Sequence, residues 1–108
     1  MDLRFGSVDL QQACNREAAL VARWGRQRAT SIAQRLQELD AVERLGDMEL
    51  LSYVRVRSAG KANHVIVEDN DGVRIGLALD LEGGSSNSEI EWEACRAATI
   101  VTVVVEEE

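Results

Sequence analysis

The segment Tyr53-Val54-Arg55-Val56-Arg57 alternates arginine with valine, and Arg74 stands in a later segment of the same period. Residues two apart share one face of a strand, so Arg55 and Arg57 project together, away from Val54 and Val56. Guanidinium groups in such a position can serve as cations for a phosphate. At the far end, Glu106, Glu107 and Glu108 stop a run of small and β-branched residues. A carboxylate cluster there is either a solvated tail or the rim of a site. His64 is the only histidine and reads as structural. Cys14 and Cys95 lie far apart in no metal-like spacing, and read as small buried hydrophobes in a reducing compartment. There is no GxxxxGK phosphate loop and no metal-ligand cluster, so neither a metal nor a cofactor is expected.

The charge is unevenly placed. The net charge is −7. Residues 1 to 61 carry ten Lys and Arg against eight Asp and Glu, whereas residues 62 to 108 carry two against eleven. Overall acidity argues against non-specific nucleic-acid binding, which rests on phosphate neutralisation, and favours solubility or a basic partner. No apolar run approaches the roughly 20 residues of a membrane span. No signal peptide is visible at Met1 to Leu10, so a cytosolic protein is expected. The length, 108 residues, fits one domain over 1–108 with a modest core.

The elements that must position these residues can be read in order. Met1 to Phe5 alternates as a short first strand, and Ser7 or Asp9 can cap a helix. Leu10, Cys14, Ala18, Val21 and Trp24 recur at helical spacing, which predicts one helix ending at Gly25. A second helix is predicted from about Arg26 to Leu45, with Ala29, Ile32, Ala33, Leu36 and Leu39 as its apolar stripe and Gly46 closing it. The tight join at Gly25 predicts a helical hairpin. Arg16 with Arg23, and Arg28 with Arg35, each sit seven apart on one helix face. These pairs read as a solvated flank with intrahelical ion pairs, in preference to an RNA-facing stripe.

From Tyr53 the period becomes two. Strands are predicted at Tyr53–Arg57, His64–Glu68 and Val73–Leu81, the last two joined by the Asp69-Asn70-Asp71-Gly72 turn. Val73, Ile75, Leu77, Leu79 and Leu81 take one face of the return strand; Arg74, Gly76, Ala78 and Asp80 take the other. Gly83 to Ser88 is a loop. The final run, Ala98 to Val105, is almost wholly small or β-branched, which predicts a strand covered on both faces at the centre of the sheet. The order β-α-α-β-β-β-β predicts an α+β two-layer sandwich, with an N-terminal strand and a helical hairpin packed on a mostly antiparallel sheet.

This order and spacing resembles the RelE/ParE superfamily of bacterial toxins, and within it the HigB-like branch. The resemblance covers nearly the whole chain. It rests on MDLRF, on WGRQRATSIAQRLQELDAVERLGDM, on the arginine-bearing strand VRIGLALDL, and on IEWEACRAATIVTVVVEEE with its acidic residue before Trp92. It implies a cytoplasmic toxin of a type II toxin–antitoxin system, a ribosome-dependent mRNA endonuclease that uses no metal. The implied partners are a helix-turn-helix antitoxin and the ribosome with its mRNA, and no membrane. The implied chemistry is activation of the ribose 2′-hydroxyl by a basic group, stabilisation of phosphorane charge by cations, and protonation of the leaving oxygen.

Carried onto this chain, the resemblance implies that Arg74 clamps the scissile phosphate. Gly60 and Lys61 fall where relatives have a glycine with basic residues. Many relatives carry a His just upstream, where this chain has Arg55, Val56 or Arg57. The implied catalytic set is Arg57, Lys61, Arg74 and Glu106, with Arg55, Arg57 and Lys61 contacting RNA. The departure is at the end. HigB-like relatives finish with an aromatic or acidic residue followed by His, and here Glu106 and Glu107 stand instead. Some relatives use a glutamate as base, which leaves Glu106 that role. A carboxylate beside a phosphate otherwise raises the barrier. Two other functions therefore stand beside the nuclease: a catalytically inactive protein of the same fold serving as an interaction module, and a ParE-type gyrase inhibitor.

Overall fold

The computed structural model describes residues 1–59, 63–80 and 95–105. Strand β1 is Asp2–Phe5. Leu3 and Phe5 pack against the core while Asp2 and Arg4 face solvent. Three helices follow: α1 Val8–Asn15, α2 Glu17–Trp24 and α3 Arg26–Ala41. A 3-10 turn at Leu45–Leu50 leads into β2 Val54–Ser58, β3 His64–Asp69, β4 Val73–Leu79 and β5 Ala97–Val105. The strands form one sheet in the order β1-β5-β4-β3-β2, parallel between β1 and β5 and antiparallel elsewhere. The helices cover one face, giving an α+β protein with a five-stranded mixed sheet.

The helix expected as one piece is two. Ser7 caps α1, its hydroxyl accepting from Leu10 N–H at 3.1 Å. At Arg16 the backbone is extended, with φ −128° and ψ 130°. In a continuous helix Glu17 would sit on the same face as Leu10, Ala13 and Cys14. The break leaves Glu17 exposed in the first turn of α2, where a carboxylate suits the positive helix end. It also changes the stripe: Leu20 is buried and Ala18 is exposed. Gly25 caps α2 and starts α3 with φ +86°, a conformation that disfavours side chains with a Cβ. The second helix ends at Ala41 rather than Leu45, which instead sits fully buried in the 3-10 turn with Met48.

The core lies between the helices and one sheet face. Ile32 and Leu39 of α3 meet Val67, Ile75, Leu77 and Ile100, all within 1 % of full burial. Each such aliphatic side chain contributes about 1.5–3 kcal/mol by leaving water. Strand β5 is interior to the sheet, but β4 occupies the middle. The expectation of cover on both faces fails here: Ala98, Ile100 and Val103 are buried, whereas Val101 and Val104 are 39 % and 51 % exposed. The pairing Gly76↔Thr102 is followed by Leu77↔Ile100, so Val101 is an extra residue, a bulge that keeps the apolar positions inward on both sides of it. Gly76 is required there: a Cβ on it would stand 2.4 Å from Oγ1 of Thr102.

Candidate functional site

The face of the sheet away from the helices carries the candidate residues. Period-two alternation turns Val65 and Val67 of β3 and Val73 and Ile75 of β4 into the core, so Glu68 and Arg74 turn outward. The register pairs Glu68 with both Arg74 and Arg55, and Ile66 with Arg57. Arg55, Arg57 and Arg74 therefore surround one carboxylate on three adjacent strands. Nε of Arg57 lies 3.4 Å from Oε1 of Glu68, and Nε of Arg74 lies 3.4 Å from its Oε2. The Glu68 side chain is 21 % exposed, Arg57 50 % and Arg74 38 %. His64 shares this face, opposite Ala78, and further along Arg4 pairs with Asp80 at 3.2 Å.

Two of the expected site residues, Arg57 and Arg74, thus come together, and Arg55 is registered opposite the same glutamate from the edge strand. Lys61 and Glu106 lie outside the described residues. Glu68 was not singled out by sequence. The signal was present: His64 to Glu68 alternates, and the turn after Asp69 fixes the register that places Glu68 opposite Arg74. Chemically, the carboxylate can accept a proton, and the two guanidinium groups can take a phosphate in its place. Glu68 also holds both arginines in position while opposing any anion that approaches them.

A second charged cluster lies at the helix–sheet junction. Arg35, expected on a solvated flank with Arg28, is instead 5 % exposed. Arg23 does lie on a solvated flank, but its ion pair, to Asp9 at 3.3 Å, runs from α2 to α1 and not within one helix. Arg35 sits 3.4 Å from Oδ2 of Asp69 and 4.5 Å from the centroid of Tyr53. Its NH2 donates to Oε2 of Glu38 at 3.3 Å. Its Nε is 2.8 Å from Oε1 of the same carboxylate, an ion pair whose N–H is not aligned for a hydrogen bond. Tyr53 donates to Glu38 at 2.6 Å. That hydrogen bond, with burial and the Glu38 charge added, raises the Tyr53 phenol above its ordinary 10.0, against an opposing pull from Arg35. Asp69 also accepts from the N–H groups of Asp71 and Val73, closing the β3–β4 turn. The cluster ties α3 to the sheet by charge pairing, with Arg35 Nε and Glu38 Oε1 matched as ions and not by a hydrogen bond.

Both cysteines are free, with Cys95 buried and Cys14 half-buried. Burial raises the Cys14 thiol above 9.0, opposed by Arg23. Among the described residues no group of three or more His, Cys, Asp or Glu could hold a metal ion. No described helix is long and apolar enough to cross a membrane. No family model, no curated protein and no solved structure matches the chain. Fold and site together define a small α+β protein in which, among the described residues, one sheet face carries the helices and the other presents arginines around a carboxylate.

Proposed function

We propose that this chain is a toxin of the RelE/ParE type, of the HigB-like branch, acting as a metal-independent endoribonuclease on ribosome-bound mRNA and held in check by a cognate antitoxin. The observation that supports it is the convergence of Arg55, Arg57 and Arg74 around Glu68 on the open sheet face. On this reading Arg74 and Arg57 take the scissile phosphate, Glu68 or Glu106 accepts the 2′-hydroxyl proton, and Lys61 and Arg55 contact the flanking strand. A metal-free cleavage of this kind needs cations where phosphorane charge develops, a base for the 2′-hydroxyl and an acid for the leaving 5′-oxygen; Arg57 and Arg74 would be the cations, and the carboxylate that takes the 2′-hydroxyl proton would return it to the 5′-oxygen as the P–O bond breaks.

A second reading has its own support. Glu68 already pairs with both Arg57 and Arg74, and the whole chain is acidic. Both features suit a catalytically inactive member of the fold that binds a protein partner.

Induced expression in a bacterial host, with growth followed and mRNA 5′ ends mapped, separates the two. Growth arrest with new cleavage sites, both lost in Arg74→Ala, supports the nuclease. Arrest without cleavage turns the reading to gyrase inhibition. Unimpeded growth with abundant folded protein sinks the toxin reading and leaves the interaction module.

A further inference from the structure

The strand register maps the sheet face away from the helices row by row. At one end Arg74 of β4 stands between Glu68 and Val104. In the next row Gly76 stands between Ile66 and Thr102, with the bulged Val101 beside them. Ala78 then stands between His64 and Thr99, and Arg4 flanks Thr99 from β1. At the far end Asp80, just past β4, pairs with Arg4 at 3.2 Å. The middle of the face is therefore small or apolar, and both ends are charged. Val101 and Val104 are exposed on it. Arg4, Arg55, Arg57 and Arg74 share the face with Asp2, Glu68 and Asp80, so among the described residues it is close to neutral on a chain of net charge −7. Two acidic copies meet with least repulsion across such a surface.

We propose that this face docks on the same face of a second copy, as a symmetric dimer whose two-fold axis crosses β4 at Leu77. Arg74 and Asp80 stand three residues either side of Leu77. An axis in the plane of the interface and perpendicular to the strand exchanges the two positions, so Arg74 of each copy meets Asp80 of the other. Gly76 meets Ala78 in the same way, and these small residues let the sheets approach. Stacked sheets lie about 10 Å apart with strands about 30° from parallel. Arg74 and Asp80 are about 10 Å from the axis, so that angle moves them only about 5 Å out of register. Each is already paired within its own copy, to Glu68 and Arg4 respectively. The dimer joins these pairs into one row of alternating charge, Glu68 and Arg74 of one copy against Asp80 and Arg4 of the other. Such pairs at a rim set register more than affinity. Affinity comes from Ile66, Val101 and Val104 leaving water. A face of roughly 20 Å by 20 Å lies at the low end for specific interfaces, so the dimer forms at about tens of micromolar. The pairing does not rest on the nuclease reading; if the face cleaves RNA, the dimer hides the site.

Sedimentation equilibrium of the full chain from about 1 to about 300 micromolar spans the expected midpoint. A dimer at the upper end is expected. Val104→Ser should weaken it about ten-fold or more, since apolar burial is lost on both copies. Arg74→Glu and Asp80→Lys, each alone, should be monomeric, because each sets like charges together at both ends of β4. Mixed one to one, the two variants should form a heterodimer, because opposite charges then meet at both ends. Circular dichroism shows whether each variant is folded. A monomer at every concentration overturns the proposal and leaves the face to RNA or to a different protein. A dimer unchanged by Val104→Ser, or folded charge variants that do not pair on mixing, overturns it as well. Mass is measured without RNA, so failure here is separable from failure of mRNA cleavage.

Discussion

Arg74 and Glu68 face each other across the β3–β4 ladder as a registered pair, with Nε and Oε2 3.4 Å apart. Neither side chain is deeply buried, so their attraction is screened and adds only about 0–1 kcal/mol to stability. Their place on the open face matters more than the energy of the pair. If the nuclease reading holds, Arg74→Ala should lower mRNA cleavage by about a hundred-fold or more while the urea midpoint scarcely moves. Glu68→Gln keeps the shape and removes the charge. A comparable loss of cleavage would make Glu68 the base, and retained cleavage would leave that role to Glu106.

The buried cluster around Arg35 behaves differently. Its guanidinium and the Asp69 carboxylate are 6 % and 1 % exposed, so water screens them little. Arg35→Ala should cost about 3–5 kcal/mol in urea unfolding, because two carboxylates lose their counter-charge inside the protein. Replacing Arg35 by Met should cost less than Arg35→Ala, through regained packing, but should not restore wild-type stability while Glu38 and Asp69 remain.

Gly76 tests the bulge. Gly76→Ala places a Cβ against Thr102, and a destabilisation of about 1–3 kcal/mol is expected. In the background of Thr102→Ala the clash atom is gone, so the same substitution should cost clearly less. Additive losses in the double variant would mean that Thr102 is not the obstacle.

The sole tyrosine gives a clean alkaline readout. Because the folded Tyr53 phenol titrates above 10.0, the native state holds its proton more tightly than the unfolded chain. The stability from this group is therefore complete below pH 10.0 and is lost as pH rises through the folded value. Phenolate absorbance should show a midpoint above 10.0 in the wild type, lowered in Glu38→Gln. An unchanged midpoint in that variant would remove the Tyr53–Glu38 hydrogen bond as the cause.

Much of this molecule followed from local pattern. Period-two alternation placed Val54, Val65, Val67, Val73, Ile75 and Leu77 inward, and with them the outward face of Arg55, Arg57 and Arg74. Gly25 and the Asp69–Gly72 turn were legible because few residues suit those backbone angles. Tertiary structure decided the rest. Arg35 falls three residues after Ile32 and four before Leu39, beside the buried stripe, but only Asp69 and Tyr53, far along the chain, supply the charge and the ring that make its burial tolerable. The break at Arg16 keeps Glu17 off the face of Leu10, Ala13 and Cys14, and no local stop signal marks it. The apolar run of β5 suggested cover on both faces, yet its neighbours and the Val101 bulge leave one face open. Local sequence sets which way a side chain points, and only the fold sets what it meets there.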